Sequence, residues 1–122
     1  MSHRRWAPSL AWAAVILVIT SIPGPVLAPV SPYSFPGADK LVHATLYGVL
    51  GWLVGRAAGV PATGRRIALL ALVGIALFAA LDEWHQHFIL ERSTELLDWL
   101  ADSLGATCGL VAQAALRREQ TT

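Results

Sequence analysis

The chain has 122 residues, 55% of them hydrophobic and only 14% charged, with a formal net charge of +1 and a mean hydropathy of +0.54. A soluble domain carries about 25% charged residues, so this composition argues against a soluble enzyme and against disorder, and the length allows a single domain, 1–122. One cysteine excludes an internal disulfide framework and a Cys-based zinc knuckle. No run of Lys and Arg exceeds two residues, which excludes a nucleic-acid footprint. The expected class is all-α: a polytopic membrane protein with four transmembrane helices packed as a small bundle.

The first apolar stretch, Trp6 to Ile22, is uncharged. As a helix its 17 residues cover roughly 26 Å of a bilayer core about 30 Å thick. Five prolines between residues 23 and 37 then end it, and Tyr33 and Phe35 give that connector an edge suited to the membrane interface. The second span is expected over about 39–60 and the third over 67–88. The fourth is expected over 95–116, interrupted by Asp98 and Asp102. A cleaved signal peptide ending near Val26-Leu27-Ala28 is the competing reading of the N-terminus. Pro29 directly after the cut and the length of the apolar run weigh against it, and the first span is expected to be retained.

Four spans put both termini and the 56–66 connector on one side. Seven of the nine Lys and Arg residues fall there: Arg4, Arg5, Arg56, Arg65, Arg66, Arg117 and Arg118. Only Lys40 and Arg92 fall on the other side. The positive-inside rule makes the first side, with both termini, cytoplasmic and the protein a multi-pass membrane protein.

Gly51, Gly55 and Gly59 recur every fourth residue in the second span, and Ala101, Gly105 and Gly109 do the same in the fourth. This small-xxx-small spacing lets helix backbones approach closely. It predicts packing within the bundle, with a homodimer face as the other use, and Cys108 is expected to pack with the same residues.

Seven of the eight carboxylates collect toward the outer side. Asp39, His43 and Tyr47 share one face of the second span. Asp82 and Gln86 share a face of the third, as do Glu83 and His87. Glu95, Asp98 and Asp102 share a face of the fourth. Lipid would not tolerate these groups, so the stripes are expected to face one another or a wet cavity. Glu83, Glu91, Glu95 and His85 are better read as solvated or interfacial at the helix ends, whereas Asp39, His43, Asp82, Gln86, Asp98 and Asp102 are expected to turn inward. Trp84 and Trp99 read as interfacial anchors.

Lys40 and Arg92 neutralise at most two of these acids. The excess calls for protonated carboxylates, cationic histidines or a bound divalent cation, for which His43, Asp82, Asp98 and Asp102 are the candidate ligands.

The series Asp39-Lys40-x-x-His43-x-x-x-Tyr47, then Asp82-Glu83-x-x-Gln86-x-Phe88-x-x-x-Arg92, then Asp98-x-x-x-Asp102-x-x-Gly105-x-x-x-Gly109 resembles the VanZ-like family. These are small polytopic bacterial membrane proteins named after an accessory glycopeptide-resistance protein. The resemblance covers about residues 36 to 110. The chain departs from the family pattern at Asp102, where Asn is usual, and at Leu90-Glu91, where Pro-Gly precedes the Arg. The resemblance implies an envelope-associated role, with teicoplanin tolerance as the namesake activity, and supplies no reaction.

Two classes of function fit the residues. One is a site at the outer leaflet that binds or modifies a lipid-linked or peptidoglycan-related molecule. Asp82, Glu83, Asp98 and His43 would be its ligand or acid–base groups, and Lys40 and Arg92 would meet an anion such as phosphate. The other is a non-catalytic partner subunit or small proton-linked transporter whose polar cluster holds the bundle together. Ser93 and Ser103 have no base at helical spacing, so no covalent nucleophile is visible.

Overall fold

The computed structural model describes residues 3–23, 37–60, 64–90 and 95–122. They form four helices: α1 (His3–Thr20), α2 (Ala38–Ala58), α3 (Arg65–Gln86) and α4 (Leu96–Thr121), with no strand among the described residues. The proline-rich connector with Tyr33 and Phe35, residues 61–63, and Glu91 and Arg92 lie outside the described residues.

Each helix stops for a local reason. α2 ends at Ala58 because Gly59 takes the left-handed conformation, φ 67°. The Gly59 N–H donates to Arg56 O and the Val60 N–H to Gly55 O, which satisfies carbonyls the last turn would otherwise leave open. Gly59, grouped by its spacing with the packing glycines, is therefore the cap of α2. α3 closes at Gln86, where the N–H groups of His87, Phe88 and Ile89 donate back to the carbonyls of the final turn. α4 runs on to Thr121, past the apolar stretch that ends at Leu116, with Arg118 in a last turn that favours positive charge.

The centre of the fold is the α2–α4 pair. A Cβ added to Gly105 would meet the carbonyl oxygen of Ala44. One added to Gly109 would meet that of Gly48, and one added to Gly51 that of Ala106. Gly48, Gly51 and Gly55 of α2 approach Gly105, Ala106 and Leu110 of α4 in turn, so α2 and α4 run parallel. The face on α2 is Ala44, Gly48, Gly51 and Gly55, spaced four, three and four, which keeps it in line along the helix. The strict four-residue spacing read from sequence instead drifts around the axis. The small-residue faces thus meet each other inside the chain. Cys108, expected among them, is exposed.

α1 and α3 flank this pair. The Trp12 indole donates to Leu46 O at 2.8 Å, tying α1 to α2, and the Trp99 indole donates to Ala76 O at 3.0 Å, tying α4 to α3. Trp99 is accordingly an interhelical strap and half-buried, while Trp84 is exposed. Ile16, Tyr47, Leu50, Ile75, Ala79 and Leu110 build the apolar core.

The surface inverts the usual order. Leu69, Leu70, Val73, Leu77 and Leu81 form an exposed stripe on α3, each more than half exposed, while Asp82, Gln86, Asp98 and Asp102 are buried. Among the described residues one helix, α3, is long and apolar enough to cross a bilayer by length and composition, with a mean hydropathy of 2.0.

The glycine contacts make a direct prediction. Gly105→Ala and Gly109→Ala place a methyl group against backbone oxygens that cannot rotate away, and each should destabilise the purified protein by about 1–3 kcal/mol. Gly74 has nothing within 4 Å of its would-be Cβ, so Gly74→Ala should be neutral or stabilising by up to about 1 kcal/mol. Thermal unfolding of the three variants checks this, and equal midpoints would refute the close α2–α4 approach.

Candidate functional site

The N-termini of α2 and α4 and the C-termini of α1 and α3 meet at one end of the molecule, and the buried acids lie there. Three linked groups of side chains make up this end.

The outermost is a clamp around Lys40. Its ammonium lies 2.7 Å from Asp39 Oδ2, 2.6 Å from Glu95 Oε2 and 2.6 Å from Asp98 Oδ1. Three carboxylates, from the starts of α2 and α4, thus share one cation. Asp39 and Asp98 also sit in the first turns of their helices, where the positive end of the helix dipole favours them. The sequence reading gave Lys40 to an anionic ligand. Surrounded by acids, Lys40 presents no unpaired positive charge for one, and its role is to hold α2 against α4.

The second group surrounds Asp82, which is 1% exposed. Thr20 Oγ1 donates to Asp82 Oδ1 at 2.7 Å and Tyr47 OH donates to Oδ2 at 3.0 Å. Asp82 lies in the last turn and a half of α3, where the helix dipole is unfavourable to negative charge. Donors from two other helices offset that placement. Thr20 was not singled out from the sequence, although it and Ser21 are the polar residues that end α1. Ser21 pairs with His85 Nε2 at 3.0 Å, which gives exposed His85 an interhelical contact.

The third group is His43, Asp102 and Glu83. His43 Nδ1 is 2.8 Å from Asp102 Oδ1 and 4.0 Å from Glu83 Oε1. Asp102 is fully buried, and His43 and Glu83 are each 8% exposed. Placing Glu83 in solvent at a helix end is corrected here: the residue turns inward between α2 and α4. Among the described residues neither of its oxygens has a hydrogen-bond partner, nor has Asp102 Oδ2 or Gln86 Nε2. His87, on the same sequence stripe as Glu83, points outward and packs against Phe88.

The four candidate metal ligands divide between these groups. Asp82 is held by Thr20 and Tyr47, and Asp98 by Lys40. Only His43 and Asp102 remain together, and Glu83 joins them. The donor atoms of His43, Glu83 and Asp102 all lie within 4.8 Å of one another. A shallow depression of about 280 Å³ opens beside this cluster, lined by Ala80, Glu83, Glu95, Leu96 and Trp99. Glu83 belongs to both.

Fold and site together define a class: an all-α protein of four helices with a buried, acid-rich cluster at one end and an apolar exterior. The chain matches the VanZ/LLP1 family model over residues 4–117, nearly its whole length, and belongs to that family. No curated protein and no solved structure matches it.

The Lys40 clamp is testable. Lys40→Met leaves three neighbouring carboxylates without a cation. It should destabilise the protein by about 2 kcal/mol, less than the roughly 3–5 kcal/mol of a fully buried pair because Lys40 and Glu95 are partly exposed. Adding Asp98→Asn to Lys40→Met should recover part of that loss in a double-mutant cycle. Additive effects in thermal unfolding would show that the two groups are not coupled.

Proposed function

We propose that this VanZ/LLP1-family chain is a four-span protein of the bacterial inner membrane, with both termini cytoplasmic, and that its acid-rich cluster binds or modifies a cell-envelope component at the outer face. Three arguments support the membrane placement: the exposed apolar stripe on α3, the burial of charge inside the bundle, and the gathering of Arg residues at the opposite end from the acids. The single observation that carries the site reading is Glu83, a buried carboxylate without a donor that also lines an opening between α3 and α4. A group that spends its burial on no internal partner is suited to an external one.

The ligand chemistry follows from what is left over. Free acceptors exceed free donors at this end, so the site favours a ligand that brings hydrogen-bond donors or positive charge. Hydroxyl and ammonium groups of a lipid-linked or peptidoglycan-related molecule meet that requirement. The family's namesake role makes teicoplanin tolerance the phenotype to examine. The alternative, a structural cluster in a partner subunit or proton-linked transporter, draws on the closed pairing of Lys40 and Asp82.

Two measurements test this reading. Topology reporters placed after Thr122 and near residue 63 should read cytoplasmic, and one near residue 34 periplasmic; a periplasmic C-terminus would overturn the four-span arrangement. A deletion strain should show altered lipid-linked envelope intermediates or glycopeptide susceptibility. Glu83→Gln should fail to complement it at normal membrane levels, and Glu119→Gln should complement fully. Loss of the Glu83 variant from the membrane would instead assign the cluster a structural role.

A further inference from the structure

We propose that His43, Glu83 and Asp102 bind one divalent transition-metal ion of the Zn²⁺ or Mn²⁺ class. The inference deepens the reading of this cluster as a ligand site and rests on it.

The geometry comes first. Three donor atoms from three helices lie within 4.8 Å of one another. Donor atoms bound to one ion at about 2.0–2.2 Å sit roughly 3–4 Å apart, so the cluster needs only a small contraction. The 2.8 Å between His43 Nδ1 and Asp102 Oδ1 is slightly shorter than an edge of such a polyhedron, so these two donors need only part a little. The same separation serves as a hydrogen bond when a proton occupies it. An ion would take the Nδ1 lone pair in place of that proton.

The second observation is independent of the clustering. Both Glu83 oxygens and Asp102 Oδ2 are buried and have no hydrogen-bond partner among the described residues. Glu83 is 92% buried, its Oε1 4.0 Å from the shared imidazole nitrogen. It also lies near the C-terminus of α3, where the helix dipole opposes negative charge. Two buried carboxylates therefore face one imidazole, and the nearest lysine, Lys40, is committed to Asp39, Glu95 and Asp98. Those three acids make a second cluster of the right size, but the Lys40 ammonium already sits among them. Thr20 and Tyr47 remove Asp82 from contention in the same way.

The donor set selects the ion. One imidazole nitrogen with two carboxylates suits Zn²⁺ or Mn²⁺ better than Ca²⁺, which prefers six to eight oxygen ligands, or Mg²⁺, which keeps several waters. Three protein ligands leave coordination positions for water or for a ligand. Glu83 also lines the depression with Ala80, Glu95, Leu96 and Trp99, which is where such a ligand would approach.

The test uses the full-length protein, purified in detergent and stripped with EDTA. Titration with Zn²⁺ by calorimetry, and with Mn²⁺ by electron paramagnetic resonance, should give one ion per chain. Saturating ion should raise the thermal midpoint by about 5 °C or more. Glu83→Gln and Asp102→Asn preserve side-chain shape and should each weaken binding at least about tenfold, while Glu119→Gln leaves it unchanged. No stoichiometric binding by the unaltered protein, or binding that both variants retain, overturns the metal site. If the unaltered protein binds no ion while Glu83→Gln still fails to complement the deletion, the metal is wrong and the envelope-ligand reading stands. If the ion binds and Glu83→Gln complements fully, the metal stands and that reading falls.

Discussion

The close approach of α2 and α4 is the constraint on which the acidic end depends. Gly105 and Gly109 let the backbone of α4 rest against the carbonyls of Ala44 and Gly48. His43 immediately precedes Ala44, and Asp102 lies one turn before Gly105, so the glycine contact lies next to the 2.8 Å bond between His43 and Asp102. A side chain at either glycine would move the helices apart by more than a hydrogen bond tolerates. The Lys40 clamp works at the same interface one turn further out, where it draws Asp39 of α2 and Glu95 and Asp98 of α4 onto a single ammonium. Packing and electrostatics therefore act on one pair of parallel helices, and neither geometry survives without the other.

Parallel packing has an electrostatic cost that the side chains answer. The N-termini of α2 and α4 lie together, and Asp39 and Asp98 in their first turns complement that positive end. α3 runs the other way and brings Asp82 and Glu83 to the same place from its negative end. Asp82 is stabilised by hydroxyl donors from Thr20 and Tyr47. Glu83 is the exception, placed as unfavourably and given no donor. Among the described residues, Glu83 is thus the buried acid whose charge no donor answers.

The partition of polar groups also separates two jobs that looked like one in the sequence. Lys40, Asp39, Asp98, Asp82 and Tyr47 pair off and hold helices together. Glu83, Asp102 and Gln86 are buried and retain polar atoms without a hydrogen-bond partner among the described residues, and His43 bonds one of them. The polar stripes read from spacing thus divide into a paired frame and a smaller remainder, with Arg92 outside the described residues.

Helix number, approximate extents, the collection of acids at one end and family membership were legible in the chain, because apolar runs and helical spacing are local properties that composition records directly. The VanZ-like series of Asp, His, Arg and Gly residues carried the resemblance in the same local way, and the family match extends it to residues 4–117. Which acid meets which donor was not legible. Glu83 and Asp82 are adjacent, both fit a helix end, and only the rotation of α3 about its axis decides that both turn inward and that Thr20 reaches one of them. Gly59 satisfied the small-residue spacing yet caps α2, and Gly48 escaped notice because a face spaced four and three is recognised only once its partner helix is in place. Spacing along one helix determines which residues share a face; the rotation and distance between helices, set by glycine contacts many residues away, determine which of those faces is left with unpaired charge.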